Sequence, residues 1–139
     1  TLIGVRETRR VYGDYRVEKD DVLQARQFDD QVGLCGAPIE DHHSGDGTNW
    51  VYLPEGSAVG IPLRSLIVKD SLNTMVVGRC FSATHDAHAS IRSMAQCMAM
   101  GVAAGVTASL VIKDETEVRS INFSKIRDEL SKTGAVLEI

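Results

Sequence analysis

One stretch of the sequence decides the fold, and it reads TMVVGRCFSATHDAHASIRSMAQCMAMGVAAGVTASLVI from Thr74 to Ile112. Its beginning, Thr74 to Gly78, is an apolar run of the kind that forms a fully buried strand. Arg79 to Ser90 is polar and predicts a loop. Ile91 to Ile112 is rich in alanine and glycine and predicts a long helix. The stretch therefore predicts a unit of buried strand, polar loop and long buried helix.

The residues before this unit predict short strands and one helix. Ile3 to Val17 contains several β-forming residues and predicts a strand, and its dense charges, which include Arg6, Glu7 and Arg10, indicate a face that is wet or binds an anion. Glu18 to Arg26 predicts a helix, because two acidic residues lie near its start. Further extended segments are predicted at Val32–Ile39, Trp50–Leu53, Ala58–Pro62 and Ser65–Val68, with a polar loop at Asp41–Gly47.

The residues after the unit predict a short amphipathic helix and a last strand. The helix is predicted at Phe123 to Lys132, where apolar residues recur at helical spacing, and Ser120 or Asn122 is suited to cap its start. Gly134 is suited to end it. A final strand is predicted over Ala135–Ile139. Together with the short strands, these elements predict an α/β fold class of the mixed α+β type.

Composition excludes some classes of protein. The 139 residues include 15 basic and 19 acidic side chains, giving a net charge of −4, which argues against a nucleic-acid partner. The hydrophobic fraction of 43% is that of a globular protein rather than a disordered one. The three cysteines, Cys35, Cys80 and Cys97, lack the spacing of a disulfide framework, so a reducing, cytoplasmic location is expected.

The uncharged run from Met94 to Ile112 allows two interpretations. It is nearly as long as a membrane span, and it contains Gly101-x-x-x-Gly105, a pattern found where membrane helices pair. Its hydrophobicity is marginal, however, so a buried helix of a soluble protein explains it better and no membrane contact is expected. At its start, Ser93 and Gln96 have the spacing of a capping box.

A strand that leads through a loop into a helix is where α/β folds place ligands. The start of the helix offers N–H groups without partners and a partial positive charge, both suited to an anionic ligand atom. Small residues along the helix, including Gly101 and Gly105, allow a neighbouring backbone to approach closely; tight helix packing is the simpler explanation for these two glycines.

The stretch Gly78–Arg92, continued by Met94 and Cys97–Gly105, closely resembles the C-terminal signature of FAD-dependent oxidoreductases of the glutathione-reductase-like, two-domain type. The segments Gly4–Arg10, Ala37–Glu40 and Ile61–Leu66 also resemble this family, so the likeness covers nearly the whole chain. The dinucleotide fingerprint GxGxxG does not occur in the chain, and Ala95 stands where the family often has proline.

The resemblance implies that this chain is the C-terminal part of such an enzyme. Residues 1–70 would belong to a substrate or middle domain, and residues 71–139 to the C-terminal portion of an FAD-binding domain. The fold would then be a partial FAD/NAD(P)-binding-like domain with part of a substrate domain. The expected partner is the missing N-terminal FAD-binding portion, and FAD should bind weakly or not at all to this chain alone.

The resemblance also implies roles for individual residues. Backbone groups near the strand–loop–helix unit would contact FAD, and the candidates are Gly78, Arg79, Ser82, Ala83 and Met94. Hydride would pass between a small-molecule substrate and the flavin. The candidate catalytic residues are His85, His88, Arg92 and Arg64, with the histidines as general acid or base and the arginines holding a carboxylate or lining the site.

Simpler alternatives stand beside these roles. Both histidines could be bonded to backbone or solvent, Arg92 could pair with Asp86, and Asp41–His43 is better explained as a solvated loop than as a substrate contact. No metal is expected, because the four histidines match no structural zinc spacing. A different function is a non-enzymatic interaction module that packs through its small-residue helix, including as a homo-oligomer.

Overall fold

The computed structural model describes residues 5–42 and 47–139. Its helices and strands follow one another in the order α1 (Lys19–Leu23), β1 (Gln31–Cys35), β2 (Ile39–Asp41), β3 (Asn49–Val51), β4 (Val59–Pro62), α2 (His85–Ile91), α3 (Met94–Lys113) and α4 (Phe123–Lys132). Two 3-10 turns, Leu63–Ser65 and Gly78–Cys80, complete the order. This mixture of helices and short strands confirms the α+β fold class.

The strands form two small antiparallel sheets. In the first, β1 pairs with β4, and the register shifts between Gln31 and Leu34. In the second, β2 pairs with β3, with Glu40 opposite Trp50. The first sheet is buried, since all of β4 and most of β1 are shielded from solvent.

The hydrophobic core joins the first sheet to the helices. Its largest fully buried side chains include Phe81, Ile61, Leu66, Ile91 and Met100. These residues come from both 1–70 and 71–139 and lie in one cluster. The division of the chain into domains at residue 70 stays a prediction.

The N-terminal segment forms no strand in its described part, so the strand predicted over Ile3–Val17 is wrong there. Residues 5–17 make only single bridges, Gly13 with Val68 and Val17 with Ala83. Single backbone hydrogen bonds hold the segment against several different parts of the chain, including Val11 N–H to Cys80 O at 2.9 Å. Because its partners change along its length, it never acquires a continuous ladder.

The predicted buried strand at Thr74–Gly78 is also wrong. Met75 makes one bridge with Ile67, Val76 donates to Leu66 O at 2.8 Å, and both side chains are half-buried. A strand needs a paired neighbour along its length, and the described residues supply only this short contact.

The polar segment after it contains a helix where a loop was predicted. Thr84 caps α2 by accepting a hydrogen bond from Ala87 N–H at 3.4 Å, and Asp86 in the first turn favours the helix dipole. The alanines face the core, since Ala87 and Ala89 are buried. Polar residues, His88 and Ser90, are buried among the alanines, so the sequence shows no clear apolar face and its helical pattern was hidden.

The long helix exists, but its start and its burial differ from the prediction. α3 begins at Met94 rather than at Ile91, which instead ends α2. Met94, Met98 and Ile112 are 76%, 71% and 77% exposed. Of the described helices, α3 alone has the length and the apolar composition that crossing a membrane requires. In its most apolar stretch, 17% of the residues are buried. One such helix is weak evidence for a span.

The predicted capping box is wrong too, because the Ser93 hydroxyl bonds the Gln96 side chain and accepts nothing from the backbone.

The C-terminal helix matches its prediction. α4 spans Phe123–Lys132, Asn122 accepts from Ser124 N–H at 3.0 Å, and Gly134 follows with a φ of +82°. The last residues, Ala135–Ile139, form no strand, contrary to the prediction.

We expect two glycine substitutions to act in opposite directions. A Cβ at Gly13 would lie 2.9 Å from Ser82 Cβ and 3.0 Å from two backbone oxygens, so Gly13→Ala should destabilise the chain by about 1–3 kcal/mol. A Cβ at Gly101 meets no described atom within 4 Å, so Gly101→Ala should stabilise α3 by about 1 kcal/mol. Urea unfolding of the two variants measures both; a loss at Gly101 would mean that this helix face is covered in solution.

Candidate functional site

The candidate site is centred on the carboxylate of Glu7. Four cationic or basic side chains from two parts of the chain surround it. Arg10 Nη1 lies 2.5 Å from Glu7 Oε1, and His85 Nδ1 lies 2.8 Å from Glu7 Oε2. His88 Nδ1 and Arg92 Nη1 each lie 3.7 Å from the same Oε2. We call these five residues the Glu7 cluster.

Helix α2 brings three members of the cluster together. His85, His88 and Arg92 are spaced by three and four residues, so they lie on one face of α2 and its C-cap. The residue that they meet, Glu7, belongs to the extended N-terminal segment. The structure therefore groups three of the four predicted catalytic residues, although nothing in their placement alone assigns a reaction.

The electrostatics of Glu7 favour its ionised form. Burial alone would raise the pKa of Glu7, but the hydrogen bond from His85 and the charge of Arg10 outweigh burial and hold that pKa below its ordinary value. A neutral His85 donates its Nδ1–H to the carboxylate, so its lone pair is on Nε2. This carboxylate–histidine pair is the arrangement that orients a proton-transferring imidazole.

His88 is fully buried and differs from His85 in its bonding. Its Nε2 donates to Arg79 O at 2.9 Å, which leaves Nδ1 unprotonated and, among the described residues, without a hydrogen-bond partner. Burial lowers the pKa of His88, more than the neighbouring Glu7 raises it. His88 therefore stays neutral near pH 7 and links the cluster to Arg79.

Because His88 is buried as the neutral ring, we expect the protein to lose stability as the pH falls below about 6.5. The unfolded chain takes up the proton at that pH while the folded chain resists it, so the free energy of unfolding should fall by at most ~1.4 kcal/mol per pH unit. Urea unfolding between pH 7.5 and about 5 measures the slope. His88→Leu should flatten it, whereas His42→Gln, at an exposed histidine, should not.

Arg92, like Arg10 and His88, has a buried side-chain nitrogen without a hydrogen-bond partner among the described residues. Its side chain is 11% exposed, and its Nε is buried with no hydrogen-bond partner among the described residues. Burial, followed by the charge of Arg6, lowers the pKa of Arg92. Its backbone oxygen accepts from Arg79 Nε at 3.2 Å. The alternative pairing of Arg92 with Asp86 does not occur, since Asp86 pairs with Lys19 at 3.2 Å.

An open pocket of about 440 Å³ exposes one side of the cluster. It is lined by Arg6, Glu7, Glu40, His42, His85 and Arg92. At its rim Arg6 lies 2.9 Å from His42 Nε2 and 3.6 Å from Glu40. The pocket is polar and reachable from solvent, which suits a small polar ligand. His43, named with His42 as a loop residue, lies outside the described residues.

The predicted cofactor residues separate into two groups. Gly78, Arg79 and Met94 lie at the start of α3: Gly78 has a φ of +69°, and a Cβ there would lie 3.9 Å from Cys97 Sγ. Ser82 and Ala83 are instead buried, and both backbone groups of Ser82 are bonded inside the chain, to Ser65 O and from Val17 N–H. Those groups of Ser82 are not available to a cofactor.

The start of α3 carries N–H groups that have no partner within the helix. The first bond of the helix runs from Cys97 N–H to Ser93 O, so the N–H groups of Met94, Ala95 and Gln96 precede the ladder. No side chain at Ser93 caps them. This end of the helix can receive an anionic or electron-rich ligand edge.

Arg64 lies apart from the Glu7 cluster. Its guanidinium makes a two-pronged pair with Asp30, with both N–O distances 2.9 Å, and it lies over Tyr15. It is not among the residues that line the pocket. Arg64 was predicted to be catalytic and Glu7 was not. The only signal of Glu7 in the sequence is its place in a densely charged segment that fits the family resemblance.

The described residues contain no group of three or more histidine, cysteine or acidic side chains that could hold a metal ion. Cys35, Cys80 and Cys97 are free thiols in the structure.

Comparison with known proteins finds one family. The model of the FAD dependent oxidoreductase family matches residues 1–130 of the chain. No curated protein and no solved structure matches.

Proposed function

The chain belongs to the FAD-dependent oxidoreductase family, and from that premise we propose that it supplies one side of a flavin site together with part of the adjoining substrate site. The observation that carries the proposal is the link between the exposed start of α3 and the Glu7 cluster. Arg79 makes that link, because its carbonyl accepts from His88 and its guanidinium donates to Arg92 O.

The residues at the start of α3 fit one edge of a flavin. Gly78 has a left-handed backbone conformation that favours glycine, so no side chain projects from this position. Met94 and Ala95 are exposed. The free N–H groups favour a ligand edge that becomes negatively charged on reduction. FAD, when bound, supplies the centre that accepts or gives the hydride.

The Glu7 cluster would handle the proton that accompanies hydride transfer. Glu7 holds the His85 ring through Nδ1, so Nε2 is the nitrogen that takes a proton from the substrate or returns it. His88 is buried and bonded to Arg79, so we assign it a positioning role rather than proton transfer. Arg92 would orient the substrate.

The phosphate-binding part of the site would come from sequence outside this chain. The chain has no GxGxxG fingerprint, and the described start of α3 offers donors for only one end of the cofactor. We therefore expect purified chain to be colourless and to bind FAD weakly or not at all. Flavin absorbance that copurifies with it would contradict this part of the proposal.

Titration of the isotope-labelled chain with flavin mononucleotide tests the flavin edge by amide chemical shifts. We expect the shifts to concentrate at Gly78, Arg79 and the first turn of α3, and adenosine monophosphate, which lacks the flavin ring, to cause none there. Gly78→Ala should abolish these shifts, while Gly134→Ala, at a second glycine of positive φ, should leave them. Scattered shifts, or equal shifts with the adenine nucleotide, would overturn the proposal.

A second candidate function, an interaction module, is favoured by the exposed face of α3. Apolar and small residues recur along it at alternating spacings of four and three, at Met94, Met98, Gly101, Gly105, Ala108 and Ile112. Such a seam is typical of helices that pair with a partner helix. The same face would be covered by a flavin domain, so this candidate and the first share one surface.

Light scattering after size-exclusion chromatography tests whether a second copy covers this seam. A self-associating module should give dimers that Met98→Glu dissociates, whereas Tyr52→Glu, at an equally exposed residue just after β3, should leave them intact. A monomer at all concentrations would exclude self-association.

A further inference from the structure

We propose that the pocket beside the Glu7 cluster binds a carboxylate group of the substrate, with Arg92 and Arg6 as its anchors. The inference rests on the proposed function, because it assigns a substrate class to the same site. It is drawn from charge, burial and unmet hydrogen-bonding capacity at the pocket wall.

Positive charge exceeds negative charge around the pocket. Four arginines, at 6, 10, 79 and 92, lie close enough to interact with its walls, against the carboxylates of Glu7 and Glu40. Arg10 Nη1 lies 2.5 Å from Glu7 Oε1, so this oxygen of Glu7 already has an ion-pair partner. Arg92 reaches the same carboxylate only at 3.7 Å. The pocket therefore retains an arginine whose charge is incompletely matched.

Arg92 has an unused donor in a shielded place. Its Nε is buried and has no hydrogen-bond partner among the described residues, although a buried donor without an acceptor is costly. A guanidinium binds a carboxylate through two parallel N–H bonds, one of which is commonly made by Nε. Because Nε is shielded from solvent, a ligand carboxylate would pair first with the outer nitrogens of Arg92, and a turn of the side chain would then bring Nε into the pair.

Arg6 provides the second anchor at the rim. Its side chain is 46% exposed and its partners, His42 and Glu40, are also at the rim, so it can turn toward a ligand at small cost. A singly charged carboxylate fits better than a phosphate dianion, because Glu7 and Glu40 line the same pocket and would repel the second charge.

Nuclear magnetic resonance of the side-chain Nε–H groups tests the inference without flavin, using acetate, acetamide and inorganic phosphate as probes. We expect acetate to shift the Arg92 Nε–H resonance to saturation and the neutral acetamide to have no effect. Phosphate should bind more weakly than acetate. Equal shifts with acetate and acetamide would overturn the proposal, and tighter binding of phosphate would overturn the choice of carboxylate.

Substitutions of the two anchoring arginines test whether acetate binds in this pocket. Arg92→Lys, followed through the Nε–H resonance of Arg6, should weaken acetate about tenfold, because lysine cannot make the paired bonds. Arg6→Gln, at an exposed position that folding tolerates, should weaken it by a smaller factor, and Arg127→Lys on α4 should change nothing. Acetate binding that survives both pocket variants would overturn the assignment. Since the acetate experiment uses no flavin, a negative result would not affect the flavin-mononucleotide test of the proposed function. A negative flavin-mononucleotide result would likewise not affect the acetate experiment.

Discussion

An Asp21→Ala variant should unfold with a free energy about 3 kcal/mol below that of the wild type. Asp21 is buried at the N-terminal part of α1, and its carboxylate accepts three hydrogen bonds. They come from Tyr15 OH at 2.8 Å, Glu18 N–H at 2.9 Å and Arg26 Nη1 at 3.0 Å. Removing the carboxylate leaves the tyrosine hydroxyl and the backbone donor unpaired, whereas Arg26 can turn to solvent.

Denaturant unfolding of Asp21→Ala and of Asp20→Ala measures the effect. Asp20 lies next to Asp21 on α1 but is exposed, so its replacement should cost less than about 0.5 kcal/mol. Equal losses in the two variants would show that the buried hydrogen bonds contribute little and that only the charge near the helix start matters.

The titration of Tyr15 gives a second measurement of the same site. Burial, and then the hydrogen bond to Asp21, raises the pKa of Tyr15 to about 12. Its stabilising contribution is therefore complete below pH 10 and is lost as the pH rises through 12. In Asp21→Ala the Tyr15 pKa should fall, as seen by phenolate absorbance, with Tyr15→Phe identifying the transition.

Elements that carry their own signals could be predicted from the sequence. α4 has apolar residues at helical spacing, the Asn122 cap and Gly134 at its end, so its bounds follow from local residues alone. α3 was also predicted from its own helix-forming residues, although it begins at Met94 rather than at Ile91. Its burial was not, because burial depends on which surface lies against the helix, and no local pattern contains that information.

Elements that depend on distant partners could not be predicted. The run at Thr74–Gly78 has the composition of a buried strand, but a strand forms only where a neighbour pairs with it. The polar segment after it reads as a loop until Ala87 and Ala89 are seen to face the core of the fold. In both cases the deciding contact comes from residues far away in sequence.

The candidate site shows the same division. His85, His88 and Arg92 could be chosen from the sequence because one short segment carries them and resembles a known family. Glu7 lies 78 residues before His85, and only the folded N-terminal segment brings the two within 2.8 Å. Glu7 contacts the other four side chains, yet its only signal in the sequence was its place in a densely charged segment.

Replacing Glu7 with glutamine should therefore lower the free energy of unfolding by about 2 kcal/mol at neutral pH. The side chains of Arg92 and Arg10 are 11% and 23% exposed and would lose the carboxylate that compensates their charge. The loss is below the 3–5 kcal/mol typical of a fully buried pair, because water reaches part of the cluster. Glutamine keeps the shape of the side chain, so packing contributes little.

The pH dependence of this loss distinguishes a charge effect from an effect of lost hydrogen bonds. Because the pKa of Glu7 is lowered in the folded protein, its contribution is complete above about pH 4.5 and is lost as the pH falls through the lower folded value. The unfolding free energies of wild type and Glu7→Gln should thus differ by a constant amount above about pH 7, where His88 is neutral in both proteins, and converge in acid. A difference that persists unchanged at low pH would mean that Glu7 acts through hydrogen bonds that glutamine cannot make rather than through its charge. Glu55→Gln, at an exposed turn, should follow the wild type throughout.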